Sequence, residues 1–180
     1  MKRLAGLLLI VVALVATRAA HAYVYFTPEK LMESFFPGGT TEAVTFTPDA
    51  AARDRIQAAL GYDLPKPTYT LQVGTVNGVV AGYAVLDQQL GQHEPIDFGV
   101  LVGPDAKVKR VEVLVYREAY GDGVRAEAFR KQFVGLGLSA PMRAGKDIRV
   151  VSGATISTRS ISTGVKRAVA IVSAYLGLPA

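Results

Sequence analysis

The sequence predicts an α+β domain, a twisted antiparallel sheet flanked by helices, and three observations carry that expectation. Tyr69 to Val76 is a run of strand-favouring residues that meets Asn77-Gly78 and continues into a second such run, Val79 to Leu86, the pattern of a tight hairpin. A further pair, Ile96 to Val102 and Lys107 to Tyr116, is separated only by Gly103-Pro104-Asp105-Ala106, too short a connection for a parallel crossover. Segments with helical spacing of apolar residues lie on both sides of these hairpins.

The chain opens with Lys2 and Arg3 and an uninterrupted apolar run of 13 residues, Leu4 to Ala16. That is short of the roughly 20 residues a helix needs to cross a hydrocarbon core. Ala20-His21-Ala22 then supplies the small-x-small pattern that a signal peptidase admits. Residues 1–22 are therefore expected to be an export signal cleaved after Ala22, with an uncleaved amino-terminal anchor as the alternative. Both place residues 23–180, expected to be a single domain, in a periplasmic or extracytoplasmic compartment, membrane-tethered in the second case.

The net charge of +5 follows from 20 basic and 15 acidic residues. Three of the basic ones, Lys2, Arg3 and Arg18, lie within the first 22 residues and none of the acidic ones does, so the exported part would carry 17 against 15. That near balance gives no reason to expect a nucleic-acid partner. There is no cysteine, which removes a disulfide scaffold, a thiol nucleophile, an iron-sulfur cluster and a lipid-carrying residue. With only His93 left after cleavage, no metal site is expected, and no residue is assigned a catalytic role.

Thr27-Pro28-Glu29 opens a first expected helix with Leu31, Met32, Phe35 and Phe36 on one side, ended by Pro37-Gly38-Gly39. Thr47-Pro48-Asp49 opens a second with Ala51, Ala52, Ile56, Ala59 and Leu60 along a stripe, ended by Gly61. The two hairpins come next, with Val111, Val113 and Val115 alternating along the last strand. After the polar loop Tyr120-Gly121-Asp122-Gly123 a helix is expected from Val124 to Phe133, turning Ala128, Phe129 and Phe133 inward. A glycine-rich linker from Gly135 to Gly145, a strand from Ile148 to Val151, and a closing helix from about Ser160 to Tyr175 complete the chain.

Between that last strand and the closing helix lies the densest run of small and hydroxyl-bearing residues: Ser152, Gly153, Ala154, Thr155, Ser157, Thr158 and Ser160. Small side chains let another molecule approach the backbone, and amides at a helix start receive phosphate oxygens. Arg149 and Arg159, with Lys146 and Arg143 upstream, add positive charge. Physics alone leaves two readings open here, an anion site and an ordinary helix cap behind a serine-rich loop.

Ser152-Gly153-Ala154-Thr155-Ile156-Ser157-Thr158 resembles the SGAT-x-(T/S)-(S/T) motif of the FMN-binding domain family, which includes flavin-carrying subunits of the Na+-translocating quinone reductase and Rnf complexes. The resemblance extends to Tyr25-Phe26-Thr27-Pro28-Glu29 through Phe36-Pro37, Gly82-Tyr83, the strands from Phe98 to Val115, and the segment Glu118 to Phe133. It implies an FMN-binding-domain-like fold with FMN as cofactor, held by a phosphoester to Thr155 that a separate flavin transferase installs from FAD with magnesium. It further implies that Ser152, Gly153, Ala154, Ser157 and Thr158 surround the attachment point, and that Glu118, Tyr120 and Gly121 lie against the flavin.

Two positions depart from the family pattern. The aspartate expected six residues before the modified threonine is Arg149, a residue that would instead screen the phosphate, and the Glu-Thr-Pro-Gly loop is Glu118-Ala119-Tyr120-Gly121. The implied role is that of an exported electron carrier exchanging electrons with an unidentified redox protein or membrane electron-transfer complex. The alternatives are a non-redox periplasmic binding or assembly module, or a hydrolase that uses Ser152 or Thr155 with His93 as base.

Overall fold

The computed structural model describes residues 22–178, so the expected leader lies, apart from Ala22, outside the described residues. Six strands form one sheet in the order β1-β6-β5-β4-β3-β2, and every neighbouring pair is antiparallel. They are β1 (Tyr23–Val24), β2 (Thr40–Phe46), β3 (Tyr69–Val76), β4 (Val79–Leu90), β5 (Pro95–Val102) and β6 (Val108–Tyr116). The helices are α1 (Pro28–Phe35), α2 (Ala50–Leu60), the single turn α3 (Glu127–Arg130) and α4 (Thr155–Tyr175). The α+β expectation holds.

Both expected hairpins form. Asn77 and Gly78 have φ of 51° and 77°, the paired positive values of a type I′ turn whose twist matches that of the strands. Two edge elements had not been anticipated. β1 is only two residues long, and β2, Thr-Thr-Glu-Ala-Val-Thr-Phe, turns only Val44 and Phe46 partly inward, so its apolar signal is weak.

The main core lies between one face of the sheet and α4, where Val85, Phe98, Val100, Val111 and Val113 meet Ile161, Val165, Ala168, Val169 and Val172. α1 covers part of the other face with Leu31, Phe35 and Phe36 against Ala84 and Leu114. Full burial of an aliphatic side chain contributes about 1.5–3 kcal/mol, so these contacts fix α4 firmly on β4 and β5 and leave its first turn at the sheet's end.

Four local expectations are corrected. α2 is capped by Asp49, whose Oδ1 accepts the Ala52 amide at 2.7 Å, and so Thr47-Pro48 lies before the helix. The helix expected over Val124 to Phe133 is broken into 3-10 turns at Asp122–Arg125 and Lys131–Phe133 around α3, because Ala126 is extended (ψ 137°). Ala128 is exposed as a result, while Val124, Phe129 and Phe133 still reach the core. Arg130 holds this bent course by donating to the carbonyls of Arg125 and Val111 at 2.8 and 3.0 Å.

Ile148 to Val151 is no strand: only an isolated bridge joins Ala144 and Ile148. The backbone of Arg149 is satisfied by the Gln132 side-chain amide, 2.8 Å on the N–H and 3.4 Å on the carbonyl, which takes the place of a partner strand. The last helix begins at Thr155, about five residues earlier than its apolar stripe suggested, because the hydroxyl residues Thr155, Ser157 and Thr158 themselves lie in its first turn.

Candidate functional site

The loop 151–154 turns on Val151, whose carbonyl accepts the Ala154 amide at 2.9 Å, and places Gly153 at φ 73°, a conformation that costs other residues strain. A Cβ at Gly153 would touch nothing within 4 Å, so the outer side of the turn is open. Ala154 is the residue before the helix, and its methyl offers no acceptor to the helix start. The first helical bond runs from the Thr158 amide to the Ala154 carbonyl, at 2.8 Å. The amides of Thr155, Ile156 and Ser157 precede that bond and receive no side-chain cap.

The hydroxyl residues of the motif divide into two sets. Ser152, Gly153 and Thr155 are exposed, with Thr155 at the first helical position. Ser157 and Thr158 are buried and used internally: Thr158 Oγ1 accepts the Val151 amide at 3.3 Å, closing the loop onto the helix, and Ser157 Oγ lies 3.0 Å from the Tyr116 hydroxyl. Ala154 is buried with them. Arg149 is exposed at the loop's entry, and Arg159, also exposed, follows Thr155 by one helical turn and so shares its face.

Glu118, Tyr120 and Gly121 come to this place from the end of β6. Glu118 Oε1 accepts the amides of His93 and Glu94 at 2.6 and 3.1 Å, which clips their loop to the turn between β4 and β5. His93 thus enters through its backbone amide and is itself exposed. Tyr120 is 78% exposed, and Gly121, at φ 93°, packs so closely that a Cβ there would sit 2.5 Å from the Tyr116 hydroxyl and 3.2 Å from Ser157 Oγ. Ser160 Oγ donates to the Leu90 carbonyl at 2.5 Å, tying α4 to the same turn. The exposed apolar side chains of Leu90, Tyr120 and Ile156 are therefore carried by three segments that meet at the start of α4.

The sequence pattern marks Tyr116 only as the end of an expected strand and does not single out Gln132. Both act by reaching a segment distant in the chain, and no spacing reports that. Tyr116 is 1% exposed and donates to the Tyr120 carbonyl at 2.7 Å. Burial pushes its phenol pKa up, the charges of Glu118 and Asp122 add to the effect, and the Ser157 bond opposes it. Asp147, two residues before Arg149, is held by Arg143: the guanidinium and the Arg143 amide both donate to its carboxylate, which keeps its pKa below the usual range.

The donor set fits a phosphate: three uncapped helix amides, an exposed hydroxyl at the first position, open space beside Gly153 and a cation one turn on. Residues 91–170, which contain every one of these groups, match the profile of the FMN-binding domain. Over residues 91–170 the chain carries the FMN-binding domain that this profile describes. FMN is accordingly its cofactor.

Relatives place this FMN-binding domain in context. The chain is similar to a subunit of the proton-translocating ferredoxin:NAD(+) oxidoreductase complex of Clostridium ljungdahlii, 32% identical over an alignment of 119 residues that covers 62% of this chain. It spans 63% of that relative's length. Among solved structures, one subunit of the Na(+)-translocating NADH-quinone reductase of Parabacteroides distasonis shares the fold, with a TM-score of 0.53 and 18% identity over 75% of this chain and 77% of that one. Among the described residues no helix is long and apolar enough to cross a membrane.

Proposed function

We propose that this chain is an exported electron-transfer flavoprotein that carries FMN as a phosphoester on Thr155. The observation that carries the reading is the exposed Thr155 side chain at a helix start whose amides have no side-chain cap. A flavin transferase is the agent we assign to the attachment, as the motif resemblance implies. Thr155 Oγ1 bonds to the flavin phosphate, the phosphoanhydride of FAD breaks, AMP leaves, and the hydroxyl proton passes to solvent. The resulting diester keeps one negative charge, which the helix amides and Arg159 stabilise, with Arg149 as a second cation in place of the family's aspartate.

When bound, FMN supplies one- and two-electron redox chemistry. Thr155 acts as a tether with no part in turnover. Ser157 and Thr158 shape the turn beneath it, and Glu118 holds the neighbouring loop in place. Tyr120 offers an aromatic face beside the attachment point, with its hydroxyl left in water. A cleft lined by Met142, Arg143, Arg159, Ser162, Thr163 and Lys166 flanks the first turns of α4, while Thr155 itself lies exposed. A site this open buries little of a ligand, so a covalent bond supplies the retention that an enclosing pocket would otherwise give.

The partner we assign is a membrane electron-transfer complex of the kind named for the two relatives, met on the extracytoplasmic side after export through residues 1–22. The test is the visible spectrum and denaturation behaviour of protein purified from cells that contain a flavin transferase. Flavin that stays with the polypeptide in acid supports the reading. Colourless protein from the same cells overturns it.

A further inference from the structure

We propose that Tyr116 is a positioning residue for the flavin: its buried phenol locks the loop bearing Glu118, Tyr120 and Gly121 to the turn bearing Thr155. The proposal rests on the reading of Thr155 as the tether and deepens it, by naming what keeps the loop beside the ring in register with the attachment point. A phenol has one proton, and the Tyr120 carbonyl, 2.7 Å away, can only accept. The proton therefore goes to Tyr120, and the Ser157 hydroxyl, 3.0 Å away on the first turn of α4, donates to the phenol oxygen in turn. One buried oxygen thus joins both segments.

The surrounding packing leaves the joint no slack. A Cβ on Gly121 would meet the phenol oxygen at 2.5 Å, Ser157 Oγ at 3.2 Å and the Ala154 methyl at 3.5 Å, so the loop backbone lies directly on the helix start. The loop has a second anchor on its other side, Glu118 to the amides of His93 and Glu94. Tyr120 sits between these anchors, its carbonyl fixed and its ring exposed. Burial raises the pKa of the phenol, which keeps the donating proton in place at neutral pH.

Tyr116→Phe keeps the ring's packing and removes the joint. In flavin-free protein we expect amide exchange over residues 119–123 to speed up by about five- to tenfold, the change implied by one hydrogen bond of ordinary net strength, while β5 is unaffected. In flavin-loaded protein the adduct mass should be unchanged, while the time-resolved fluorescence anisotropy of the flavin decays faster. Ser157→Ala should give part of each effect and add little to Tyr116→Phe. It also serves as the probe if that variant does not fold. Unchanged loop exchange and unchanged anisotropy in both variants would overturn the proposal. Wild-type protein without an adduct would overturn the tether itself, with the exchange result still reporting the joint separately.

Discussion

α2 and α4 begin in opposite ways. At the start of α2, Asp49 places a carboxylate oxygen 2.7 Å from the Ala52 amide, and at the start of α1, Thr27 accepts from Lys30. α4, the longest helix described, begins behind an alanine and receives no side-chain cap. A cap is worth about 1 kcal/mol, so the most heavily buried helix forgoes a contribution that two shorter ones take. α4 can do so because its apolar face against β4 and β5 supplies far more. A side chain closes the starts of α1 and α2, whereas on the proposed reading the uncapped start of α4 is left open for a phosphate.

The sharpest way to break this contrast is to make the ends alike. Ala154→Asp would set a carboxylate beside the open amides and repel the flavin phosphate, so loading by the transferase should fall to background in an intact-mass assay, and because Ala154 is buried the variant should also lose stability in denaturant unfolding. Next in size is Gly121→Ala, which meets both an unfavourable positive φ and the Tyr116 hydroxyl. We expect a loss of about 1–3 kcal/mol in denaturant unfolding, with exchange rising in the 119–123 loop. Asp49→Ala should cost about 1 kcal/mol and leave flavin loading untouched, because that cap serves the fold alone.

The smallest effect concerns pH. Tyr62, Tyr69, Tyr83 and Tyr116 all have pKa values raised above the ordinary 10.0 by burial. Each stays neutral in the fold while its unfolded counterpart ionises near 10.0, so the stability they contribute is whole below that pH and declines as pH rises toward the folded values. Tyr116→Phe should remove part of that alkaline decline, measured as a shallower fall of melting temperature above about pH 10 in the variant than in the wild type.

The sheet was legible where hairpin chemistry is local. Asn77-Gly78 and the Gly103 turn specify their own strands, and Leu31 with Phe35 and Phe36 specify a helix face. β2 was not, because one flank of an edge strand faces water and its apolar alternation is thin. The start of α4 was misplaced for a related reason: Ser157 and Thr158 read as loop residues, and only tertiary bonds to Tyr116 and Val151 make them buried members of a helix. Gln132 held the Arg149 backbone across 17 residues of sequence, with no periodicity to announce it. The motif itself was readable as a resemblance, whereas the division of its hydroxyls into exposed and buried sets needed the fold.

The central claim is that Thr155 carries the flavin. Intact-mass measurement of the protein matured with a flavin transferase, wild type beside Thr155→Val, tests it directly. The account predicts an increment of about 440 Da, FMN less one water, on the wild type and none on the variant, with both melting alike. An increment that persists in Thr155→Val, or that never forms on the wild type, would contradict it.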